Sequence, residues 1–411
     1  MRHLLLLASS IALPLLACLS ACESDSETTP TSTSPPDQDG GVAGSGGQGG
    51  AGGQGASAGG FGAGGSGGGP GGSGGAGGSS PLAGCITGNF TAFHGNFHAH
   101  TSYSDGVDEP EDAFAHARDV AGLDIMVVTD HLEQLYLLPP VNRWGLCKEQ
   151  ADAADQPTVF VADCGYEYGS GFILPLFQST GHNNVFFPDS LFPAVQTDFH
   201  DFYTNLVNCA PCVGQFNHPG DEPTQHWNNF EYDAAVDGRM TLFELSGSSS
   251  AWDLYFQALD AGWHISPMLN QDNHSANWGT ANDDRSGVFM TDLSRAALRL
   301  AMLDRRTFSS EDKNAAVRTM ADGSCWMGSI LTGGTTVTLT VLAEDDDPSD
   351  GFDTITLFGP GKGFLDSHAC NGAVPCQATF TITTATSTYA VARAEQTDGD
   401  RLVAAPIWLT P

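Results

Sequence analysis

Short runs of β-branched and apolar residues alternate with segments of helical apolar spacing over residues 90–330. This alternation is typical of a parallel sheet with crossover helices. Seven strand-like runs can be counted, which predicts an α/β fold, a distorted (β/α)7 TIM-like barrel with its chemistry at the carboxyl ends of the strands. Helices are predicted over residues 111–121, 249–261 and 292–305. The strand-like runs are NFTAFHGNFHAH, LDIMVVTDH, TVFVADCGYEYG, GHNNVFFP, CVGQFNHPG, MTLFELSG and HISPMLNQDNH.

After residue 331 the pattern changes to a period of two, with Thr and Val recurring at alternate positions. Strict alternation indicates half-buried antiparallel strands. We therefore expect residues 332–411 to form a small all-β, sandwich-like domain without catalytic residues of its own. The acidic run from Glu344 to Asp347 is interpreted as a solvated loop in preference to a calcium site.

The N-terminal segment has the pattern of an export signal. A basic residue precedes an apolar run that is too short to span a bilayer, and small residues follow it. The tetrad Leu19-Ser20-Ala21-Cys22 has the form of a bacterial lipoprotein cleavage site. It predicts a signal peptide over residues 1–22 and a lipid anchor on Cys22, through which the protein would contact a membrane. Processing at Cys18 and an ordinary secreted protein are the alternatives.

Residues 23–81 are rich in Ser, Thr and Pro and then consist almost entirely of Gly, Ala, Ser and Gln. They have no apolar periodicity from which a core could form, so we expect a disordered linker. Such a linker would hold the folded body away from the membrane. The expected protein is an extracytoplasmic, membrane-anchored lipoprotein that faces the periplasm or lies on the cell surface.

The chain is strongly acidic, with a formal net charge of −33. Residues 1–81 carry −4 of this charge, which leaves −29 for the rest of the chain. Such a surface repels nucleic acid and anionic lipid headgroups, so we expect no nucleic-acid partner.

Eight cysteines follow the linker, and an even number in an exported protein predicts disulfides. Their pairing is open, although Cys370 and Cys376 have the spacing of a disulfide that closes a short loop. The CAPC segment from Cys209 to Cys212 could be a redox motif. A redox motif needs a helix after its first cysteine, and here a strand-like run follows, which favours a structural role.

Histidines and carboxylates end most of the strand-like runs. His98 and His100 are two residues apart in a strand, so both imidazoles face the same side, and Asp105 in the following loop can supply an oxygen ligand. A buried strand tip with ionisable residues is costly unless they are paired or bind a metal. The other residues at such ends are Asp130, His131, Glu167, His182, His218, Asp272 and His274. Because strand ends converge in a barrel, we expect these residues to form one metal cluster.

Five of these segments, HAHTSYSDG, VVTDH, GYEYG, NHPG and QDNH, resemble the successive motifs of the PHP (polymerase and histidinol phosphatase) domain. The resemblance covers about residues 91–331 and implies a distorted seven-stranded barrel with a metal cluster, within a hydrolase domain over residues 82–331. The segment from LRLAMLDRRTF to WMGSIL and the ending APIWLT are similar to the exported CehA/McbA-like branch of metal-dependent phosphoesterases.

The resemblance also implies two or three divalent metal ions, of manganese, iron or zinc. The first would be held by His98, His100, Glu167 and Asp272, the second by Glu167, His182 and His218, and the third by Asp105, His131 and His274. Some family members have histidine where this chain has Asp105, which could weaken the third site or favour manganese or iron over zinc.

The expected reaction is cleavage of a small anionic ester, a phosphoester, by a metal-activated hydroxide at this di- or trinuclear centre. Two further residues are expected to take part in catalysis. Asp130 adjoins a ligand and could orient an imidazole, and Glu244, at the end of the sixth run, could contact substrate or act as a general acid. A carbamate or carboxyl esterase with the same metal site and a non-catalytic, metal-bearing surface protein are the alternatives.

Overall fold

The structure is a computed structural model, and it describes residues 83–137, 142–169, 181–193, 199–220, 227–246, 249–333 and 335–410. The predicted signal peptide, the linker and Cys22 lie outside these residues. Within them, no helix has both the length and the apolar character needed to cross a membrane.

The described part of the chain is a mixed α/β protein with more strands than helices. Its strands are β1 (Thr91–Asn96), β2 (Ile125–Val128), β3 (Val161–Cys164), β4 (Tyr166–Gly169), β5 (His182–Phe186), β6 (Val213–Phe216), β7 (Met240–Glu244), β8 (Ser266–Met268), β9 (Arg285–Met290), β10 (Thr307–Ser310), β11 (Ala316–Ala321), β12 (Cys325–Trp326), β13 (Ile330–Thr332), β14 (Thr336–Glu344), β15 (Phe352–Gly359), β16 (Gly363–Ala373), β17 (Cys376–Thr383), β18 (Thr388–Gln396), β19 (Arg401–Ala404) and β20 (Ile407–Thr410). Its helices are α1 (Pro110–Asp119), α2 (Leu132–Leu137), α3 (Arg143–Ala154), α4 (Phe199–Asn208), α5 (Trp227–Phe230), α6 (Ala251–Ala261) and α7 (Arg295–Leu303).

The three helices expected from the sequence are present as α1, α6 and α7, each somewhat shorter than predicted. α1 begins with a proline, and a capping box joins Glu109 to Asp112 at its start. Its apolar residues Ala113, Phe114 and Ala117 recur at helical spacing and are buried.

The distorted (β/α)7 barrel expected from the sequence is not confirmed by the described strands. They form a five-stranded sheet in the order β4-β5-β6-β7-β8, a four-stranded sheet in the order β12-β11-β14-β17, and an eleven-stranded sheet. None of the three closes on itself. β1, β2 and β3 are parallel, as are β6, β7 and β8, but β4, β5 and β6 pair in antiparallel fashion and β9 runs antiparallel to β1.

A break in the third strand-like run accounts for part of this difference. The run breaks at Gly165 into β3 and β4, which belong to different sheets. A Cβ at Gly165 would lie 2.4 Å from the carbonyl oxygen of Val185, so only glycine allows the chain to pass so close to β5.

Isolated backbone bridges connect the two sheets that carry the predicted ligands. Ala99 pairs with Asn273, and His131 pairs with Glu167. The amide of His100 donates to the carbonyl of Asn273 at 2.8 Å. The ligand-bearing segments therefore lie where the eleven-stranded and five-stranded sheets meet.

The region after residue 331 is all-β, as the two-residue period predicts. β14 and β17 belong to the four-stranded sheet, whereas β15, β16, β18, β19 and β20 belong to the eleven-stranded sheet. Buried residues of both layers, such as Leu339, Phe380, Ile355 and Ala392, share one apolar core. Because β19 pairs with β10, strands from both sides of residue 331 form one sheet, and the domain boundary there stays a prediction.

The prediction of a disulfide framework is confirmed. All eight cysteines after the linker are paired, including the local pairs Cys370–Cys376 and Cys209–Cys212. The other two disulfides are Cys85–Cys325 and Cys147–Cys164.

Candidate metal centre

Glu167, at the second position of β4, is the centre of a buried cluster of imidazoles. Its side chain is 1% exposed, and ring nitrogens of five histidines surround its two carboxylate oxygens. These histidines are His218 at 3.0 Å, His131 and His182 at 3.1 Å, His98 at 3.3 Å and His100 at 3.4 Å. The five come from four separate segments of the chain, with His98 and His100 in the same one, so the fold brings together residues that are distant in sequence.

The Nδ1 side of the His98 ring contacts the carboxylate of Glu244, the last residue of β7. The Nδ1 atom of His98 lies 3.1 and 3.2 Å from the two Glu244 oxygens, and neither side chain is exposed. The same carboxylate accepts from the backbone amide of His218 at 2.8 Å and from Asn270 Nδ2 at 2.9 Å. With Nδ1 committed to Glu244, the Nε2 lone pair of His98 is directed into the cluster.

His100 is held in a similar way by a hydroxyl. Its Nδ1 lies 3.3 Å from Ser104 Oγ, which donates to Asp130 Oδ1 at 2.5 Å. Because the serine proton goes to Asp130, Nδ1 of His100 is the donor and Nε2 keeps a lone pair. Asp130 also accepts from the amide and the hydroxyl of Thr101 at 2.8 and 2.7 Å. Asp130 therefore fixes the loop after β1 and reaches His100 only through Ser104.

Asp272, His98 and His100 form the tightest part of the cluster, the two histidines lying just after β1. Asp272 Oδ1 lies 3.0 Å from His100 Nε2 and 3.3 Å from His98 Nε2, and the two Nε2 atoms are 3.3 Å apart. Oδ1 is buried and has no hydrogen-bond partner among the described residues. Two imidazole lone pairs and a carboxylate oxygen therefore face one another.

Asp105 and three histidines form the outer part of the cluster. Its oxygens lie 3.4 Å from His274 Nε2, 3.5 Å from His131 Nε2 and 3.6 Å from His100 Nδ1. The rings of His100 and His274 stack with centroids 4.3 Å apart. The loop after β1 thus folds back over the strand end, as the sequence predicts.

The structure brings all nine predicted ligands together. Four groups of them have donor atoms within 4.8 Å of one another. The groups are His98, His100 and Glu167; His98, His218 and Asp272; Glu167, His182 and His218; and His100, Asp105, His131 and His274. The third of these is the set predicted for the second metal, and the fourth is the set predicted for the third metal with His100 added.

Charge compensation in the cluster comes from imidazoles. Burial would raise the pKa of Glu167, but His182, His98 and His131 outweigh it and hold the pKa well below its usual range. Burial would likewise lower the pKa of His131, yet Glu167 and Asp105 raise it to about 9. In the described part of the chain, every ion pair of Glu167, Asp105 and Asp272 is with a histidine.

These residues fit a group of divalent cations. Without one, the facing lone pairs of His98 and His100 and the partnerless oxygen of Asp272 must share protons. An imidazole whose other nitrogen donates to a carboxylate, as in His98 with Glu244, is the usual arrangement of a metal-ligating histidine. Mixed imidazole and carboxylate donors suit zinc, iron and manganese.

Several supporting residues have no signal in the sequence. Ser104 contacts His100 from the loop that follows it, Asn270 donates to Glu244, and both residue types are common in loops. Asn217 adjoins His218, but its amide donates to Glu167 Oε1 at 2.9 Å, so it orients the carboxylate. Only its position beside a ligand could have indicated this role.

Fold and site together define a mixed α/β protein with a buried histidine–carboxylate cluster at a sheet junction. No protein-family model and no curated protein matches the chain.

The solved structures that are similar to the chain include the following three. A two-domain protein from Bacteroides vulgatus that contains a predicted PHP-like metal-dependent phosphoesterase has 17% identity and a TM-score of 0.43, over 77% of this chain and 95% of that chain. PsfC from Pseudomonas syringae has 14% identity and a TM-score of 0.38, over 53% and 90%. The lesion-specific endonuclease EndoQ from Pyrococcus furiosus has 17% identity and a TM-score of 0.35, over 52% and 56%. The first of these contains a predicted PHP-like phosphoesterase, and PHP is the family whose motifs this sequence resembles. The CehA/McbA-like branch stays a prediction.

Proposed function

We propose that this protein is a metal-dependent hydrolase that cleaves phosphoester bonds at a centre of two or three divalent ions. The observation that carries the proposal is the convergence of five imidazoles on the buried carboxylate of Glu167. A single buried carboxylate needs one counter-charge, and five ring nitrogens around it exceed any structural requirement. Such an excess of donors is typical of a multinuclear metal site.

The ligand groups divide naturally around Glu167 and Asp105. His98, His100 and Asp272, with Glu167, would hold one ion, and Glu167 with His182 and His218 a second. Asp105, His131 and His274 would hold a third ion together with His100. When bound, such ions lower the pKa of a water molecule so that it becomes a nucleophile near neutral pH, and they stabilise the charge that develops on the ester oxygens.

The chain's own residues keep the donors in place. Glu244 fixes the ring of His98 and the backbone of His218, and Asn217 holds one oxygen of Glu167. Asp130 and Ser104 hold His100. We therefore assign Glu244 and Asp130 as positioning residues, because both carboxylates are buried and already occupied by donors.

Exposure indicates the side from which a substrate would approach. His98 and His100 are 0% exposed, whereas the side chains of Asp105 and His274 are 43% and 41% exposed. The three ligand carboxylates Asp105, Glu167 and Asp272 oppose two or three divalent cations, so the loaded ligand set itself has a net positive charge. A small anionic ester would therefore bind there although the chain as a whole carries a net charge of −33.

Hydrolysis of three chromogenic esters by the manganese-loaded full chain tests the proposal. We expect turnover of p-nitrophenyl phosphate or bis-p-nitrophenyl phosphate, and loss of both metal and turnover in His98→Ala and Asp272→Ala. The matched control is His368→Ala, which removes an exposed histidine of β16. Activity on p-nitrophenyl acetate alone would instead support a carboxyl or carbamate esterase. Bound metal without turnover of any ester would support a non-catalytic metal-bearing protein.

We further propose that the protein works outside the cytoplasm as a lipoprotein anchored through Cys22. The four disulfides support an oxidising compartment. Cys22→Ala should release the protein from the membrane fraction, and a variant that remains there would contradict the lipid anchor.

A further inference from the structure

Three carboxylates meet at the edge of the all-β region, apart from the histidine cluster. Asp312 follows β10, and Asp345 and Asp350 lie in the loop between β14 and β15. Their side-chain oxygens are within 4.8 Å of one another, and Asp312 is buried. We call these residues the acidic triad. In sequence this loop reads as a solvated turn, and only the fold brings Asp312 to it.

No cationic side chain forms an ion pair with the acidic triad in the described part of the chain. The donors that contact Asp312 are the amides of Asn314 and Ala315. Those that contact Asp345 are likewise neutral, namely Asp347 N, Asn314 Nδ2 and Gln396 Nε2. Three negative charges at this separation repel one another strongly unless a cation or protons lie between them.

Gln396 provides an independent observation that a ligand belongs here. It is 2% exposed, and its Nε2 lies 2.6 Å from Asp345 Oδ2, so its carboxamide stands at the triad. Its Oε1 is buried and has no donor among the described residues. The two ends of a carboxamide are only about 2.3 Å apart, so this oxygen lies within about 5 Å of Asp345. A buried carbonyl oxygen without a donor is costly unless a cation satisfies it.

The surroundings add further negative charge. Burial together with Asp398, Glu311 and Asp312 raises the pKa of Asp400 to about 6. Burial, Asp312 and Asp350 also raise the pKa of Asp345. Asp345 lines an open groove of about 490 Å³ together with Asp124, Glu344 and Asp346, so an ion can reach this member of the triad from solvent.

We propose that Asp312, Asp345, Asp350 and the Oε1 atom of Gln396 form a calcium-binding site. All four ligands are oxygens, which calcium prefers, and the site has no imidazole that would favour zinc or iron. Oxygens that coordinate one Ca²⁺ at about 2.4 Å lie at most about 4.8 Å apart, and the side-chain oxygens of the triad lie within that distance of one another. Water completes the coordination, and the ion ties the loop between β14 and β15 to the end of β10.

Calcium titration of the full chain by isothermal calorimetry, after treatment with a chelator, tests this site. We expect one Ca²⁺ to bind to the wild type and to His98→Ala, since the site is independent of the histidine cluster. Asp345→Asn and Asp350→Asn should each weaken binding by at least about tenfold, because each removes a charged ligand. Asp346→Asn is the matched control. It removes the same charge next to the triad and should change the affinity by less than about twofold.

Circular dichroism of each variant separates a lost site from a lost fold. If Asp345→Asn does not fold, Asp350→Asn and Gln396→Leu carry the test, and both should fold with weakened binding. Four results would overturn the proposal. They are no binding to the wild type at about 5 mM Ca²⁺, unchanged affinity in the folded triad variants, an equal loss in Asp346→Asn, and Mg²⁺ affinity equal to that for Ca²⁺.

Discussion

Replacing Glu244 with glutamine separates a positioning role from a catalytic one. The carboxylate accepts from His98 Nδ1, His218 N and Asn270 Nδ2 at once. Glutamine keeps the shape but has one acceptor oxygen, so its amino group must face a donor. An unsatisfied buried donor costs about 1–3 kcal/mol. Loss of the carboxylate behind a ligating imidazole should also weaken metal affinity by about 10–100-fold, which corresponds to about 1.4–2.8 kcal/mol.

The measurements are metal affinity by chelator competition and turnover at saturating metal. We expect Glu244→Gln to lose affinity while its kcat recovers largely when metal is in excess. Glu111→Gln, an exposed substitution on α1, is the matched control and should leave both quantities unchanged. Wild-type metal affinity with a strongly reduced kcat would refute the reasoning, because Glu244 would then act on the substrate, as one interpretation of the sequence holds.

Three further predictions concern the cluster and the disulfides. Glu167→Gln should lower both the bound metal and the turnover, the latter by at least about 100-fold, since a ligand matters more than its supporting residues; normal metal content by elemental analysis would contradict this. The pKa of His131 is raised from 6.5 to about 9. In the metal-free protein this shift contributes at most about 3 kcal/mol to the free energy of unfolding. The contribution is complete below pH 6.5 and is lost as the pH rises through 9. Urea unfolding between pH 6 and 10 measures it, and metal-free His131→Ala with the same pH dependence would exclude it. Replacing both Cys85 and Cys325 with serine should lower the free energy of unfolding by about 2–5 kcal/mol, because the disulfide closes a loop of 240 residues; an unchanged denaturant midpoint would show that it adds nothing.

The position of the ligands could be predicted because strand periodicity is a local property. His98 and His100 face the same side for the same reason in sequence and in structure, and most of the other ligands lie at one end of an apolar run. Convergence of strand ends then requires only that neighbouring strands pair. That requirement is met although the sheets do not close, so the expected cluster forms without a closed barrel.

Properties that depend on distant partners could not be predicted. Glu244 was visible as a strand end, but its three donors lie at least 26 residues away, and without them a buried orienting carboxylate and a catalytic acid look alike. The break at Gly165 depends on the carbonyl of Val185, which no local pattern reveals. The acidic triad has the same origin, because Asp312 and Asp345 are separated by four strands in sequence.

The bridges Ala99–Asn273 and His131–Glu167 have a mechanical consequence. Each lies beside or between ligand residues, at the points where the eleven-stranded and five-stranded sheets touch. Cations held by His98, His100 and Asp272 would cross-link the two sheets at this junction. Chelation would then also loosen the contact between the two sheets, and backbone amides at His100 and Glu167 would exchange faster with solvent deuterium.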